Sequence, residues 1–574
     1  MPGPAEFSPR AVLTGILLGA LLTPSNVYAG FKIGWSFNMS VISLLLGYTF
    51  WQGLMQRLRH GPQWTLLESN INQTVASAAA SIISGGLVAP IPALTLLTGV
   101  DLATWPMVAW VFSVSFLGVW IAWFLRASIL DDPALRFPES VATLEALTQI
   151  YAHGSESTRR VLALFGAALL SGALKWLDEF HGALARWSPT PQLERLSFTL
   201  DPSLLLLGFG GIIGMRVGLS LLLGALLAWG GIAPWLLERG LVVLPASSDG
   251  PQFARLVEWL LWPGVALMVS ATFTGLGLRL LRQRGIVRGG APLKLMDHLR
   301  TQLLALAALL LSIVLVVLLQ QSLFGIAPSM AWLSIPLSVA LAVVAARVVG
   351  ATGIAPVGAI GQLSQLGIGL AAQGQLAANL MGANTAGGAA GQCTDLMNDL
   401  KVGRAIGATP WKLAVSQCLG IVIGSVVAVL AYKALIPDPK SMLLTEAWPA
   451  PAVATWKAVA QTLTAGLGSL DASVRVAIVF GTLIGIALGS LEILLPPQTV
   501  HRLPAPAAVG LAFVLPASVS LMMAFGALLA WLAARVAPGI SGRYTLSVAA
   551  GLVAGESMMG VGVAQWRLMG EMGG

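Results

Sequence analysis

Asp395 and Asp399 stand four residues apart in a run that continues to Lys401 and Arg404, and on a helix that spacing puts both carboxylates on one face. Two carboxylates held close raise one another's affinity for a proton, and partial burial adds to the effect. A pair of this kind can take up and release a coupling proton near neutral pH. Lys401 and Arg404 are the candidate groups that tune that affinity; alternatively they and Lys412 only neutralise the acids at a helix end. Glu139, Glu145 and Glu556 are the other acids within motif-bearing helical segments and form the reserve candidates for proton coupling.

A second set of residues has the chemistry to bind rather than to titrate. Asn70, Gln73, Thr74 and Ser77 share a face by three- and four-residue spacing in an otherwise membrane-like segment. Asn379, Asn384 and Gln392 precede the aspartate pair, and Gln362 and Gln365 lie in a Gly- and Pro-containing stretch from Gly350. Inside a bilayer each such group must pair, face a cavity or carry a large penalty. Two uses are open, hydrogen bonding between helices and the lining of a substrate cavity, and four adjacent amide and hydroxyl groups exceed what the first needs. Glycines around Pro356 imply unwound backbone at membrane depth, which is tolerated only beside protein or a water-filled cavity. No cofactor or bound metal is expected: the five histidines are scattered, and Cys393 and Cys418 form no recognisable pair.

The elements that must position these residues are membrane helices. Of 574 residues, 56% are hydrophobic and 10% charged, with a mean hydropathy of +0.82. That balance excludes a soluble enzyme, a disordered chain and a secreted disulfide scaffold. At about 20 apolar residues per span there is room for about 14–16 transmembrane helices in an all-α polytopic protein. The first apolar stretch, from Ala11, follows no basic and cleavable leader and reads as a true span. Segment 203–237 is too long for one plain span and reads as broken or hairpin-like. The net charge of +8 fits a positive-inside bias and attraction to lipid headgroups; no basic tract with interleaved aromatics suggests nucleic acid. The stretch from Arg279 to Arg300 is the most basic and is expected to be cytoplasmic, with Arg10 and the Arg57–His60 turn on the same side. Gly210, Gly214 and Gly218, and likewise Gly481, Gly485 and Gly489, read as small-residue packing faces.

The chain also repeats itself. Residues 141–149 recur at 453–461, and Asn72 maps at the same offset of 312 onto Asn384. Gly224 to Trp229 recurs letter for letter as Gly526 to Trp531. Three matches in chain order imply an internal duplication, with a first membrane repeat at 1–290 ending in the basic loop and a second at 291–574. Two-repeat architecture with broken or re-entrant helices is the habit of secondary transporters, whose sites lie between the repeats.

At these segments the sequence resembles the oligopeptide transporter family, which includes the yellow stripe-like metal-chelate transporters. Asp395-Leu-Met-Asn-Asp399-Leu-Lys401-Val-Gly403, continuing to Gly407 and Pro410, is similar to the family's D-L-M-x-D-L-K-x-G-x-x-x-G-A-x-P run. Glu68 to Thr74 resembles its E-N-N-I-x-Q-T, with Ser69 for the first asparagine. Pro356 to Gln365 resembles its P-x-G-x-x-G-x-L-T-Q, and Gly551 to Gly560 its G-L-x-A-G-E-S-L-M-G. One departure is Phe137-Pro138-Glu139-Ser140-Val141-Ala142 in place of F-P-S-G-T-A. It puts a charge at the site and implies a substrate different from those of the plant and fungal members.

The resemblance implies a bacterial-type, proton-coupled symporter of small peptides or metal–chelator complexes, multi-pass in the cell membrane and not an enzyme. Its partners would be the substrate, protons and membrane lipid, with a homodimer as the candidate assembly. Two rivals remain. A passive channel would use the same amides, and an intramembrane Mg-dependent prenyl-transfer enzyme would use Asp395 and Asp399 but lacks the second acidic cluster such chemistry needs. No G-x-x-x-x-G-K-[ST] loop is present, which argues against direct ATP drive.

Overall fold

The computed structural model describes residues 6–572 apart from 35–38, 56–62, 133–134, 136, 153, 183–185, 243–251, 283–298, 353–356, 373, 467 and 469. The helices of the first half are α1 (Pro9–Ile33), α2 (Ser40–Tyr48), α3 (Leu66–Ala80), α4 (Pro90–Thr98), α5 (Thr104–Leu130) and α6 (Pro138–Ala152). They continue as α7 (Gly154–His181), α8 (Pro191–Arg195), α9 (Leu204–Ile213), α10 (Met215–Ala225), α11 (Ala233–Glu238) and α12 (Phe253–Arg282). Next come α13 (Leu299–Phe324), α14 (Pro328–Thr352), α15 (Val357–Ala371), α16 (Ala383–Ile406), α17 (Pro410–Leu435) and α18 (Pro439–Met442). The last are α19 (Pro451–Ala465), α20 (Ala472–Leu494), α21 (Pro497–Val500), α22 (Pro506–Leu511), α23 (Ala517–Val536) and α24 (Pro538–Met572).

The protein is an all-α polytopic membrane protein. Eleven helical stretches among the described residues are long and apolar enough to cross a bilayer. That number is below the 14–16 expected because interrupted or polar segments do not qualify, α3 being too short at 15 residues and α16 too polar. The lipid-like faces are those of α13 and α20, where Leu303, Leu310, Leu311, Phe480 and Leu483 are all exposed. The basic loop and the Arg57–His60 turn lie outside the described residues, as does Pro356.

The chain divides into two compact units that do not follow chain order. Unit one comprises Met1–Val27, Trp35–Val161 and Arg288–Lys433. Unit two comprises Tyr28–Gly34, Leu162–Val287 and Ala434–Gly574.

In unit one the polar helix α3 is buried because glycine faces close on it. A Cβ on Gly15 or Gly19 of α1 would lie 2.7 Å from the Cβ of Val75 or Ala79. On the α17 side a Cβ on Gly420 would meet the Val75 carbonyl, and one on Gly424 would lie 2.5 Å from that of Ala79. Such backbone approach supplies the dispersion contact that holds helices together in lipid. The start of α3 is fixed by a reciprocal cap: Thr65 accepts from Glu68 N, and Glu68 accepts from Thr65 N at 3.0 Å.

In unit two the stripe Gly481, Gly485 and Gly489 of α20 seats α12 in the same way. Cβ atoms there would stand 2.4–2.6 Å from the carbonyls of Pro263, Leu267 and Ala271. The other glycine series divides its work. Gly210 and Gly218 pack on α23, whereas Gly214, with φ of +80°, breaks the segment into α9 and α10. The interruption expected within 203–237 is therefore a glycine hinge of backbone conformation, followed by a π-turn at Leu226–Ile232.

Candidate functional site

Unit one brings together Asp395 and Asp399 of α16, Ser77 of α3, Ser40 of α2, and Ser140 and Thr143 of α6 around one recess, with Asn398 between the acids. Asp399 is 5% exposed and accepts a hydrogen bond from Gln73 Nε2 at 2.9 Å. The same Gln73 nitrogen is shared with Asn70 Oδ1 and Thr74 Oγ1 at 3.2 and 3.1 Å. Asn398 donates to Glu139 Oε2 at 2.8 Å and accepts from Ser140 Oγ at 3.0 Å, which ties the start of α6 to α16. The recess has a volume of about 10 Å³. That is room for about one water molecule, the size of a proton relay and not of a peptide.

The start of α6 is held by an unusual residue. Phe137 is fully buried with φ of +53°, a conformation that bulky side chains rarely adopt. Its N–H donates to the Gly350 carbonyl at 2.7 Å, and a Cβ on Gly350 would press on its ring. This anchor aims Glu139 and Ser140 at Asn398.

The remaining amides fall into distinct positions. Gln365 donates to Asn379 Oδ1 at 3.2 Å, and Asn379 returns a bond to the Gln365 carbonyl at 2.7 Å. Asn384 donates to the Gly85 carbonyl at 3.0 Å beside Gly86, where no larger residue fits. Gln392 donates to Ser81 Oγ and accepts from Gln417. Gln362 is buried on α15. These bonds bridge helices, so the amides have a structural use in this conformation. Two atoms close to Asp399 do not: Asn70 Nδ2 and Gln73 Oε1 are buried and have no partner among the described residues. Buried polar atoms are rarely left so without water or ligand to meet them.

The charged candidates separate as well. Lys401 donates to the Leu135 carbonyl at 3.2 Å and sits over the Phe137 ring, and Arg404 pairs with Asp131. Both thus hold the α5–α6 connection and neither pairs directly with Asp395 or Asp399. Glu145 lies on the exposed side of α6. Glu556 belongs to unit two, where it accepts from Ser203 Oγ at 2.7 Å and from Leu205 N at 2.8 Å at the start of α9. It lines a second and much larger cavity of about 810 Å³.

Sequence reasoning noticed Asn398, Ser140 and Thr143 within polar segments but gave them no role at the site, and it did not single out Ser40. The available signal was the Ser140/Thr143 pair at i, i+3 and the position of Asn398 between two acids. It also passed over Lys32, Lys175, Asp178 and Glu446, which line the large cavity and stand at helix ends and in a connection, where charges look ordinary. Burial pushes the Glu446 carboxyl above its usual range.

Comparison with known proteins matches the family described as OPT oligopeptide transporter protein over residues 6–566. The "Putative oligopeptide transporter" of Haemophilus influenzae is 25% identical over 93% of this chain and 91% of its own length. The "Probable metal-nicotianamine transporter YSL10" of Oryza sativa subsp. japonica is 24% identical over 96% of this chain and 89% of its own. A yeast protein, the "Putative oligopeptide transporter YGL114W" of Saccharomyces cerevisiae, is 21% identical over 84% and 85%.

Proposed function

The chain belongs to the oligopeptide transporter family, and from that premise we propose that it is a proton-coupled symporter carrying small peptides or metal chelates across the cell membrane. The observation that carries this reading is the water-sized recess holding Asp395 and Asp399, with Gln73 on one acid and Asn398 bridging to Glu139. A pair of carboxylates enclosed at this scale is suited to hold one proton at a time. Lys401 and Arg404, fixed on the α5–α6 connection, act on the pair through their field and not by contact.

Asn70, Gln73, Thr74, Ser77, Gln362, Gln365, Asn379, Asn384 and Gln392 form the polar path, whose interhelical bonds exchange for bonds to substrate as the site opens. The unpartnered Asn70 Nδ2 and Gln73 Oε1 support that assignment. The two halves, 1–290 and 291–574, act as repeats. Support comes from α6 and α19, which are each 15 residues long and begin at Pro138 and Pro451, within one residue of the 312-residue offset of the sequence repeat.

The test is uptake into proteoliposomes of a panel of small peptides and metal–nicotianamine complexes, with and without an imposed pH gradient. Accumulation above the external concentration, abolished by a protonophore, is the expected result. Simple equilibration unaffected by the gradient would make the protein a passive channel.

A further inference from the structure

The large cavity of unit two is built from the last turn of α1, the last turns of α7, the connections 186–203 and 436–450, and Glu556 of α24. Its volume of about 810 Å³ lies within the roughly 300–1,000 Å³ of small-ligand sites, whereas the recess beside Asp399 holds about one water. We propose that this cavity is an entry site for a zwitterionic amino-carboxylate compound, whose carboxylate docks on Lys32 while its ammonium faces Asp178 and Glu446. The proposal rests on the transport reading above and adds to it a separate binding site with a stated ligand chemistry.

The charges select that class. Six carboxylates and three cations line the cavity. Several are already engaged: Lys175 pairs with Glu179 at 2.7 Å, Arg186 stands 3.8 Å from Asp201, and Glu556 takes the two bonds from the start of α9. Lys32, Asp178, Glu446 and the exposed Glu194 form no ion pair among the described residues. One open cation and three open anions disfavour a polyanion, which would meet the excess of carboxylates, and a simple cation, which would leave Lys32 unused. A molecule carrying both an amine and a carboxylate answers both signs, its ammonium facing Asp178 and Glu446 deeper in the cavity while Glu194 stays at the exposed rim.

Lys32 is also held in place. Its ammonium lies 5.2 Å from the Trp448 ring centroid and 5.8 Å from that of Tyr28, and the two rings meet edge to face at 5.3 Å. Trp448 packs in turn on Phe31, which is fully buried. The ordinary alternative is a lysine that complements a helix C-terminus and snorkels to the headgroups. A snorkelling lysine keeps a mobile stem; one seated on two aromatic faces presents a fixed, partly desolvated cation. Location fits entry. Lys32 lies in the last turn of the 25-residue α1, so the cavity sits at the end of a span and not at its middle.

The test uses the full-length protein in nanodiscs, with triglycine and nicotianamine as probes and calorimetry as readout. Both are expected to bind, and Lys32→Met to weaken binding at least about tenfold, the worth of one charge-assisted contact, while Lys32→Arg retains it. N-acetyl-triglycine and triglycinamide, each lacking one charge, should bind the wild type at least about tenfold more weakly than triglycine. Failure of both zwitterions to bind the wild type, or equal affinity in Lys32→Met, overturns the proposal. So does a lack of discrimination among the three tripeptides. In intact cells Ala447→Cys should react with a membrane-impermeant maleimide and be protected by triglycine; absence of protection overturns the site. Proton coupling is read separately, by triglycine uptake into wild-type proteoliposomes with and without an imposed pH gradient. Loss of binding in Lys32→Met without any pH-driven uptake in the wild type would sustain the site and sink the symport reading.

Discussion

At the scale of single residues, the structure turns on polar groups that have no water to retreat to. Glu68 is fully buried, and it is satisfied by Arg10 Nε at 2.7 Å, Arg10 NH2 at 2.6 Å, Ser8 and the cap at Thr65. Arg10 is itself placed by the stacked rings of Trp51 and Trp64, 5.5 and 5.4 Å from its guanidinium. Removing one member of such a buried pair costs far more than removing both. Arg10→Met is therefore expected to destabilise the protein by about 3 kcal/mol, and Glu68→Gln in the same chain to recover most of that. Thermal unfolding in detergent of the single and double variants reads the difference; strictly additive losses would mean the pair is not coupled. At this scale the sequence was informative about type and less so about use. The four-residue spacing of Asp395 and Asp399 did place them in one recess. Asn384 and Gln392 looked like cavity lining, yet in this conformation they bond to Gly85 and Ser81, because a side chain's periodicity names its face and not the neighbour across it.

At the scale of elements, packing is decided by where backbone can approach backbone. The Gly481, Gly485 and Gly489 stripe was readable from its spacing, and it seats α20 on α12 as a packing face should. Gly210, Gly214 and Gly218 have the same spacing, but the middle residue serves a chain break, which spacing alone cannot distinguish. Gly485→Leu would drive a side chain into the Leu267 carbonyl, 2.4 Å from the first added atom. We expect a loss of about 1–3 kcal/mol or more, since backbone cannot yield as a side chain does. Gly166→Leu on α7, where nothing lies within 4 Å, should change stability little. Equal melting temperatures for the two variants would refute the close α12–α20 contact. The polar helices α3 and α16 were legible as motifs and illegible as spans: their low hydropathy is compensated by burial within unit one.

At the scale of the whole molecule, composition alone announced a polytopic helical membrane protein, and the motif-bearing segments announced its family. Composition says nothing of how the pieces group, because grouping depends on contacts between residues hundreds of positions apart. Each compact unit takes chain from both halves, 1–161 with 288–433 in one and 162–287 with 434–574 in the other, Tyr28–Gly34 excepted. Neither half can complete a unit alone. Chains 1–290 and 291–574 expressed separately should therefore be degraded or aggregate, and their co-expression should restore a complex that co-purifies and transports. A stable, monodisperse 1–290 fragment would contradict that interdependence. The central claim concerns what the acidic recess does for the assembled protein, and one measurement addresses it most directly. Asp399→Asn and Asp395→Asn keep side-chain volume and mimic the protonated acid, and each is reconstituted beside wild type for uptake under an imposed pH gradient and for exchange across the membrane at equal pH. The account predicts that both variants still exchange substrate but no longer accumulate it. Accumulation equal to wild type in both would show that Asp395 and Asp399 serve structure alone.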